Sequence, residues 1–155
     1  MIRILETKDY DLLANLNEEI QTFHHNMQPN IFKPYDKEPI KDFFKNTLNA
    51  ENVAAFIAQK NESIVGYVLL FIIEVADNPF QYTRTFVLLD QILVLKKHQG
   101  KGVGKLLLET ALSYAKEKNI DRIELNHWSL NASARKFFTQ NKFEYFNEKM
   151  WRVVR

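Results

Sequence analysis

HQGKGVG, residues 98–104, carries three of the four glycines in the chain. The apolar run TFVLLDQILVL ends just before it, and an amphipathic pattern starts within it. Glycine is costly inside regular structure. A chain that uses it almost nowhere else and then clusters it between a strand and a helix is making room for something that approaches the backbone. Lys96, Lys97, His98, Lys101 and Lys105 surround the glycines, and this local positive charge suits a small anion.

Spacing separates the glycine motifs that compete for this loop. A dinucleotide fingerprint G-x-G-x-x-G beginning at Gly100 requires a sixth-position glycine where Lys105 stands. A nucleoside-triphosphate loop ending in Gly104 and Lys105 requires glycine and a hydroxyl where the chain has Gln99 and Leu106. What remains is Q-x-x-G-x-G, Gln99 to Gly104, between an apolar strand and a helix.

Working outward, Val103, Leu106, Leu107, Thr110, Ala111 and Tyr114 form an apolar stripe on a helix reaching about Lys118. Upstream, VAAFIAQ and SIVGYVLLFIIEV, separated by Lys60, Asn61 and Glu62, read as an antiparallel hairpin. Ile2 and Ile4 mark a first strand, and Leu12, Leu13, Leu16, Ile20 and Phe23 a helix capped by Thr7 or Asp9 and ending near His24. Pro29, Pro34 and Pro39 then impose a loop, followed by a short helix from about Ile40 to Leu48. Downstream, RIELNHW reads as a strand, NASARKFFTQN as a short helix, and FEYFNEKMWRVVR as one or two terminal strands. Strands that begin as a meander and later alternate with helices predict an α/β (α+β) fold, a mixed sheet with helices on its faces.

Composition bounds the rest. At 155 residues and 46% hydrophobic content, one domain spanning 1–155 is expected. Without cysteine, disulfides, thiolate metal sites and cysteine nucleophiles are excluded, which fits a reducing, cytoplasmic setting. Neither a signal-like core nor a stretch of about 20 apolar residues is seen, so no membrane role is expected. A net charge of +2 is too small to imply nucleic acid. His24 and His25 are adjacent and lack partners at metal spacing, so no metal is expected.

At VLKKHQGKGVGKLLL and NASARKFF the chain resembles the GNAT superfamily of acetyl-CoA-dependent N-acyltransferases. The resemblance runs from the first strand to the last. It implies a twisted, mostly antiparallel sheet flanked by helices, with strands splayed to admit the cofactor. It further implies transfer of an acetyl group from acetyl-CoA to a primary amine of a small molecule or peptide, in a chain compatible with a homodimer. Gln99, Gly100, Lys101, Gly102, Val103, Gly104 and Lys105 would hold the pyrophosphate, and Asn131 the pantetheine arm. Ile92, Leu93 or Val94 would supply the backbone N–H that meets the oxyanion. Phe138 stands where the family usually has a tyrosine that protonates the departing sulfur. The alternative is a non-catalytic module that senses acyl-CoA.

The residues have readings of their own. A carboxylate inside LLDQILVL is expensive unless it is paired or faces a wet cleft. Strand parity puts Asp90, Ile92 and Val94 on one face, which makes Asp90 the first candidate base. His127 is the second, since imidazole titrates near pH 6.5. Asn131 is equally well explained as the cap of the helix it begins. Water, Tyr145 or Tyr114 are the candidates to replace the missing acid.

Overall fold

The computed structural model describes residues 1–155. Along the chain run β1 (Ile2–Glu6), α1 (Tyr10–Met27), α2 (Lys37–Thr47), β2 (Val53–Lys60), β3 (Ser63–Val75), β4 (Arg84–Val94), α3 (Val103–Glu117), β5 (Ile123–Leu125) and α4 (Ala132–Gln140). The five strands form one sheet in chain order; the first four are antiparallel and β5 is parallel to β4. This is the expected mixed, mostly antiparallel sheet with helices on its faces. No helix is long and apolar enough to cross a membrane.

Each face has its own core. One packs Val65, Val68, Val87 and Leu89 of the sheet against Val103, Leu107, Leu108 and Ala111 of α3 and Phe138 of α4. The other packs Ala55, Ile57, Tyr67, Leu69 and Leu93 against Leu13 and Ala14 of α1 and Phe44 of α2. Side chains such as Leu107 and Leu13 are fully buried, each worth roughly 1.5–3 kcal/mol over an exposed position. Local chemistry sets the ends of the elements. Asp9 Oδ1 accepts from Leu12 N at 2.9 Å and caps α1. Pro39 lies in the first turn of α2, where its missing N–H costs little. Asn61, at φ +55°, closes the β2–β3 hairpin.

Three expectations are corrected. The strand read in RIELNHW is only Ile123–Leu125, so His127 and Trp128 lie in the loop beyond it. Residues 143–155 form no strand. Tyr145, Phe146, Trp151 and Val154 have strand propensity, but a strand is a pairing; these side chains stay exposed, and their backbone joins no ladder. Thirdly, Asp90 does not share a face with Ile92 and Val94. In the β3–β4 ladder Leu69 faces Gln91 and Leu70 faces Leu89, so Asp90 is the extra residue of a β-bulge. Val87 and Leu89 belong to the α3 core, as do Ile92 and Val94, whereas Leu93 belongs to the α1 core. Alternation on both sides of the bulge therefore puts Asp90 and Gln91 together on the α1 face.

The remaining glycine, Gly66 on β3, is a packing requirement. A Cβ there would stand 2.4 Å from the Leu93 carbonyl oxygen and 3.3 Å from Leu107 Cδ1. Gly66→Ala is expected to lower stability by about 1–3 kcal/mol, the usual cost of overpacking. Urea unfolding would check this, and an unchanged midpoint would contradict it.

Candidate functional site

The β4–β5 pair is held at one end and open at the other. Glu124 Oε1 accepts from Arg84 Nη1, and from Arg122 Nε at 2.7 Å, while Val87 N donates to Arg122 O at 2.9 Å. Pairing covers only Val87–Leu89 against Ile123–Leu125, yet β4 continues to Val94. Past the bulge β4 has no ladder with β5.

The backbone groups facing this gap follow from alternation. Leu95 N donates across to Val65 O on β3 at 2.9 Å, so Leu93 turns the same way, and Ile92 and Val94 turn their N–H and C=O into the gap. Gln99 confirms the direction for Val94, because its Nε2 donates to the Val94 carbonyl at 2.9 Å. Of the three oxyanion candidates, Ile92 and Val94 thus face the opening and Leu93 faces β3.

The glycine loop lies at the same end. Gly100 and Gly102 have φ of +70° and +82°, the left-handed region that favours glycine. A Cβ at either would meet no protein atom within 4 Å, so the space over both is open to a ligand. Gly102 is the N-cap of α3 and has no side chain to cap it, whereas Asp9 and Asn131 cap α1 and α4. The first N–H groups of α3 are left available where the helix dipole favours an anion. Gly104 has a different reason. A Cβ there would touch the Phe137 ring at 3.4 Å, so its small size lets α4 pack on α3.

The other loop residues divide by task. Val103 is buried and anchors α3. Lys101 Nζ donates to Lys97 O at 2.9 Å, and Lys105 stands exposed, 4.0 Å from Glu109. Lys96 N donates to Glu19 Oε2 at 2.8 Å and ties the loop to α1. Asn131 Oδ1 accepts from Ala134 N at 3.0 Å, so the capping role is real. Phe138 is 6% exposed, within the α3 core and against Phe137 and Phe143.

Asp90 is exposed at the bulge. The protein around it nevertheless pushes its carboxyl above the usual carboxylate range, and the Gln91 side chain partly offsets this. Gln91 also lines an open cleft of about 280 Å³ between α1 and α2, with Asn17, Gln21, Ile40 and Phe43 among its walls. His127 Nε2 pairs with the Tyr145 hydroxyl at 3.0 Å. Tyr114 is buried against Phe56 in the α3 core, which removes it from the cleft. His24, whose pKa is lowered by burial, stacks on Phe32, and Phe32 meets Trp128 edge-on at 4.9 Å. The α1–α2 loop thereby reaches the loop after β5.

Sequence reasoning missed Asn17 and Tyr67. Asn17 is 5% exposed. Its Nδ2 donates to the Tyr67 hydroxyl at 2.9 Å and to Gln91 Oε1 at 3.3 Å. Tyr67 donates to the same Oε1 at 2.6 Å. An asparagine one turn after Leu13, on the buried face of α1, was the available signal.

Comparison with known proteins bears on the family and the fold. Residues 16–143 match the model of the Acetyltransferase (GNAT) family. The chain is similar to N-acetyltransferase 8B of Mus musculus, 26% identical over 117 residues that cover 73% of this chain and 49% of that protein. It thus spans about half the length of that relative. A solved mutant of the BH1408 protein from Bacillus halodurans has a TM-score of 0.90 at 22% identity, covering 99% of each chain. Aminoglycoside N-acetyltransferase AAC(6')-Iy in complex with CoA has a TM-score of 0.74 at 17% identity, covering 100% of this chain and 95% of that one. At these identities the structural likenesses speak for the fold.

Asp90 also carries a stability consequence. A carboxyl whose pKa is raised on folding favours the native state when protonated, and that advantage is lost as pH rises through the folded-state pKa. Asp90→Asn is therefore expected to melt above wild type near neutral pH. The difference should vanish below the ordinary carboxylate value of about 3.9. Thermal melts across this range would check it, and a variant less stable than wild type at pH 7 would contradict it.

Proposed function

The chain belongs to the GNAT family of acetyltransferases, and on that premise we propose that it moves an acetyl group from acetyl-CoA to a primary amine by direct attack in a ternary complex. The observation that carries this reading is the coincidence, at one end of β4, of three features. These are a strand gap with two inward backbone N–H groups, an uncapped helix N-terminus under open glycines, and a carboxylate at a bulge.

Gly100, Gly102 and the first N–H groups of α3 would cradle the diphosphate, with Lys101 and Lys105 adding charge. Gln99 keeps the end of β4 in place through the Val94 carbonyl. The pantetheine arm would lie in the gap, within reach of the Asn131 amide. The co-substrate supplies a thioester carbonyl. The N–H of Ile92 or Val94 would stabilise the oxyanion that develops there, a role that rewards fixed donors in a site closed to water. Asp90 would take the proton from the attacking amine, and its raised pKa moves it toward the range in which a base works at neutral pH. The thiolate leaves without help from Phe138, since a thiol pKa of roughly 8.5 makes it a workable leaving group. Among the phenols, Tyr145 remains available through its pair with His127.

The acceptor would enter on the α1 face, between the cleft lined by Gln91 and the loop carrying His127 and Trp128. It is a small-molecule or peptide amine. The whole of residues 1–155 would act as one catalytic domain, because both cores share the sheet that carries the site.

Calorimetry and thiol-release kinetics test this together. Gly102→Ala adds a methyl that meets no protein atom but must hold φ +82°, so its expected loss of CoA affinity, about tenfold or more (1.4 kcal/mol), reports the approach of the phosphate when a thermal melt of the unliganded variant accounts for the backbone strain. Unaltered affinity in the folded variant would mean that the turn is only structural. Asp90→Asn should retain CoA affinity and lose about a hundredfold or more in kcat; full activity at every pH would transfer the base role to His127. CoA binding with no reaction across polyamines, amino acids, aminoglycosides and peptide N-termini would favour a sensing module.

A further inference from the structure

In a regular strand, consecutive side chains point to opposite faces and do not meet. The bulge cancels this at one place: Asp90 and Gln91 share the α1 face, which lets the Gln91 carboxamide serve its own neighbour. What that carboxamide presents to Asp90 depends on which way it is turned, since one end accepts and the other donates. Two donors converge on its oxygen. Asn17 Nδ2 reaches Oε1 at 3.3 Å and the Tyr67 hydroxyl reaches it at 2.6 Å.

We propose that Asn17 and Tyr67 lock the Gln91 carboxamide so that its N–H end faces the Asp90 carboxylate, which makes Gln91 a positioning residue for the base. This rests on the assignment of Asp90 as that base.

The direction of the lock has a physical origin. Tyr67 is fully buried. Burial, and then the Asp90 charge, raise its pKa against the opposing effect of Asn17, so the phenol stays protonated and has one hydrogen to give. It accepts from Asn17 at 2.9 Å, which leaves that hydrogen for Gln91. Reversing the amide would set its NH2 against the Asn17 NH2, take away the acceptor of the Tyr67 hydroxyl, and turn its oxygen toward the carboxylate. A buried polar chain of this kind is costly when half satisfied, which favours the one arrangement that satisfies every member.

The cleft that Gln91 lines carries no charged side chain. α1 presents Asn17 and Gln21, and α2 presents Ile40 and Phe43, to the cleft that Gln91 lines. From β3 the titratable neighbour is Tyr67. Beyond β5 stands His127, paired with Tyr145. A donor at Gln91 is thus the feature that offsets the desolvation of Asp90. The lock also links α1 to β4 at the point where the strands part, so the position of α1 is transmitted to the base.

The test is a carbon-13 titration of the Asp90 carboxyl in aspartate-labelled protein, which needs no turnover. It is paired with the pH profile of kcat/KM for the best amine of the panel. Gln91→Met keeps length and removes the donor. The expected result is an upward move of the Asp90 titration and of the acid limb of the profile by about one pH unit, a tenfold change in proton affinity. Asn17→Leu combined with Tyr67→Phe removes both anchors and leaves Gln91 in place. It should move both readouts in the same direction by a smaller amount, because the freed amide samples both orientations. A folded Gln91→Met protein that titrates as wild type overturns the proposal, and so does a folded double variant that leaves both readouts unmoved. Should the carboxyl titration shift while the activity of Asp90→Asn equals wild type, the lock stands and the base assignment falls.

Discussion

One extra residue in β4 governs the site. With Asp90 inserted between the ladder partners Leu89 and Gln91, β4 bends at the point where its pairing with β5 ends. The pair is clamped below the bulge by Glu124, which holds two guanidiniums, and has no ladder above it. Where that ladder stops, the edge of β4 is left as unpaired backbone, and backbone supplies N–H donors that need no side chain. The Ile92 and Val94 donors, the exposed carboxylate and the shared face of Asp90 and Gln91 all follow from this displacement.

The glycine loop adjoins that edge because it begins where β4 ends. Four glycines have four surroundings that divide into two uses. Gly66 and Gly104 are small so that protein can approach protein, against the Leu93 carbonyl and the Phe137 ring. Gly100 and Gly102 adopt positive φ beneath open space. The distinction separates residues that build the platform from those that leave room above it. The cluster that marks the loop in the sequence is therefore not uniform in purpose.

Local features were legible in the sequence, and relational ones were not. The stripe of α3, the β2–β3 hairpin and the cap of α1 depend on residues close in the chain, and periodicity finds them. Asp90 stood out as a carboxylate in an apolar run. The bulge could not be seen, because which residue of LLDQ is extra is fixed by β3, and assuming regular parity put Asp90 on the wrong face. The terminal segment failed for a similar reason: Trp151 and Val154 look like strand residues, but only a neighbouring edge makes a strand. Phe138 was read at the place of the family's tyrosine, and its packing within the α3 core is a second, relational feature that spacing does not reveal. Asn17 was overlooked because its partners lie 50 and 74 residues away.

The central claim is that ligand-facing backbone at the end of β4, together with the start of α3, forms one cofactor site. Amide chemical-shift mapping of nitrogen-15-labelled protein on addition of CoA tests it most directly. The account predicts the largest changes at Ile92, Val94, Gly100, Gly102 and the first turn of α3, with Leu93, whose N–H is turned to β3, changing least among the three β4 residues. Perturbations concentrated in the α1–α2 cleft, or equal at Ile92, Leu93 and Val94, would contradict it.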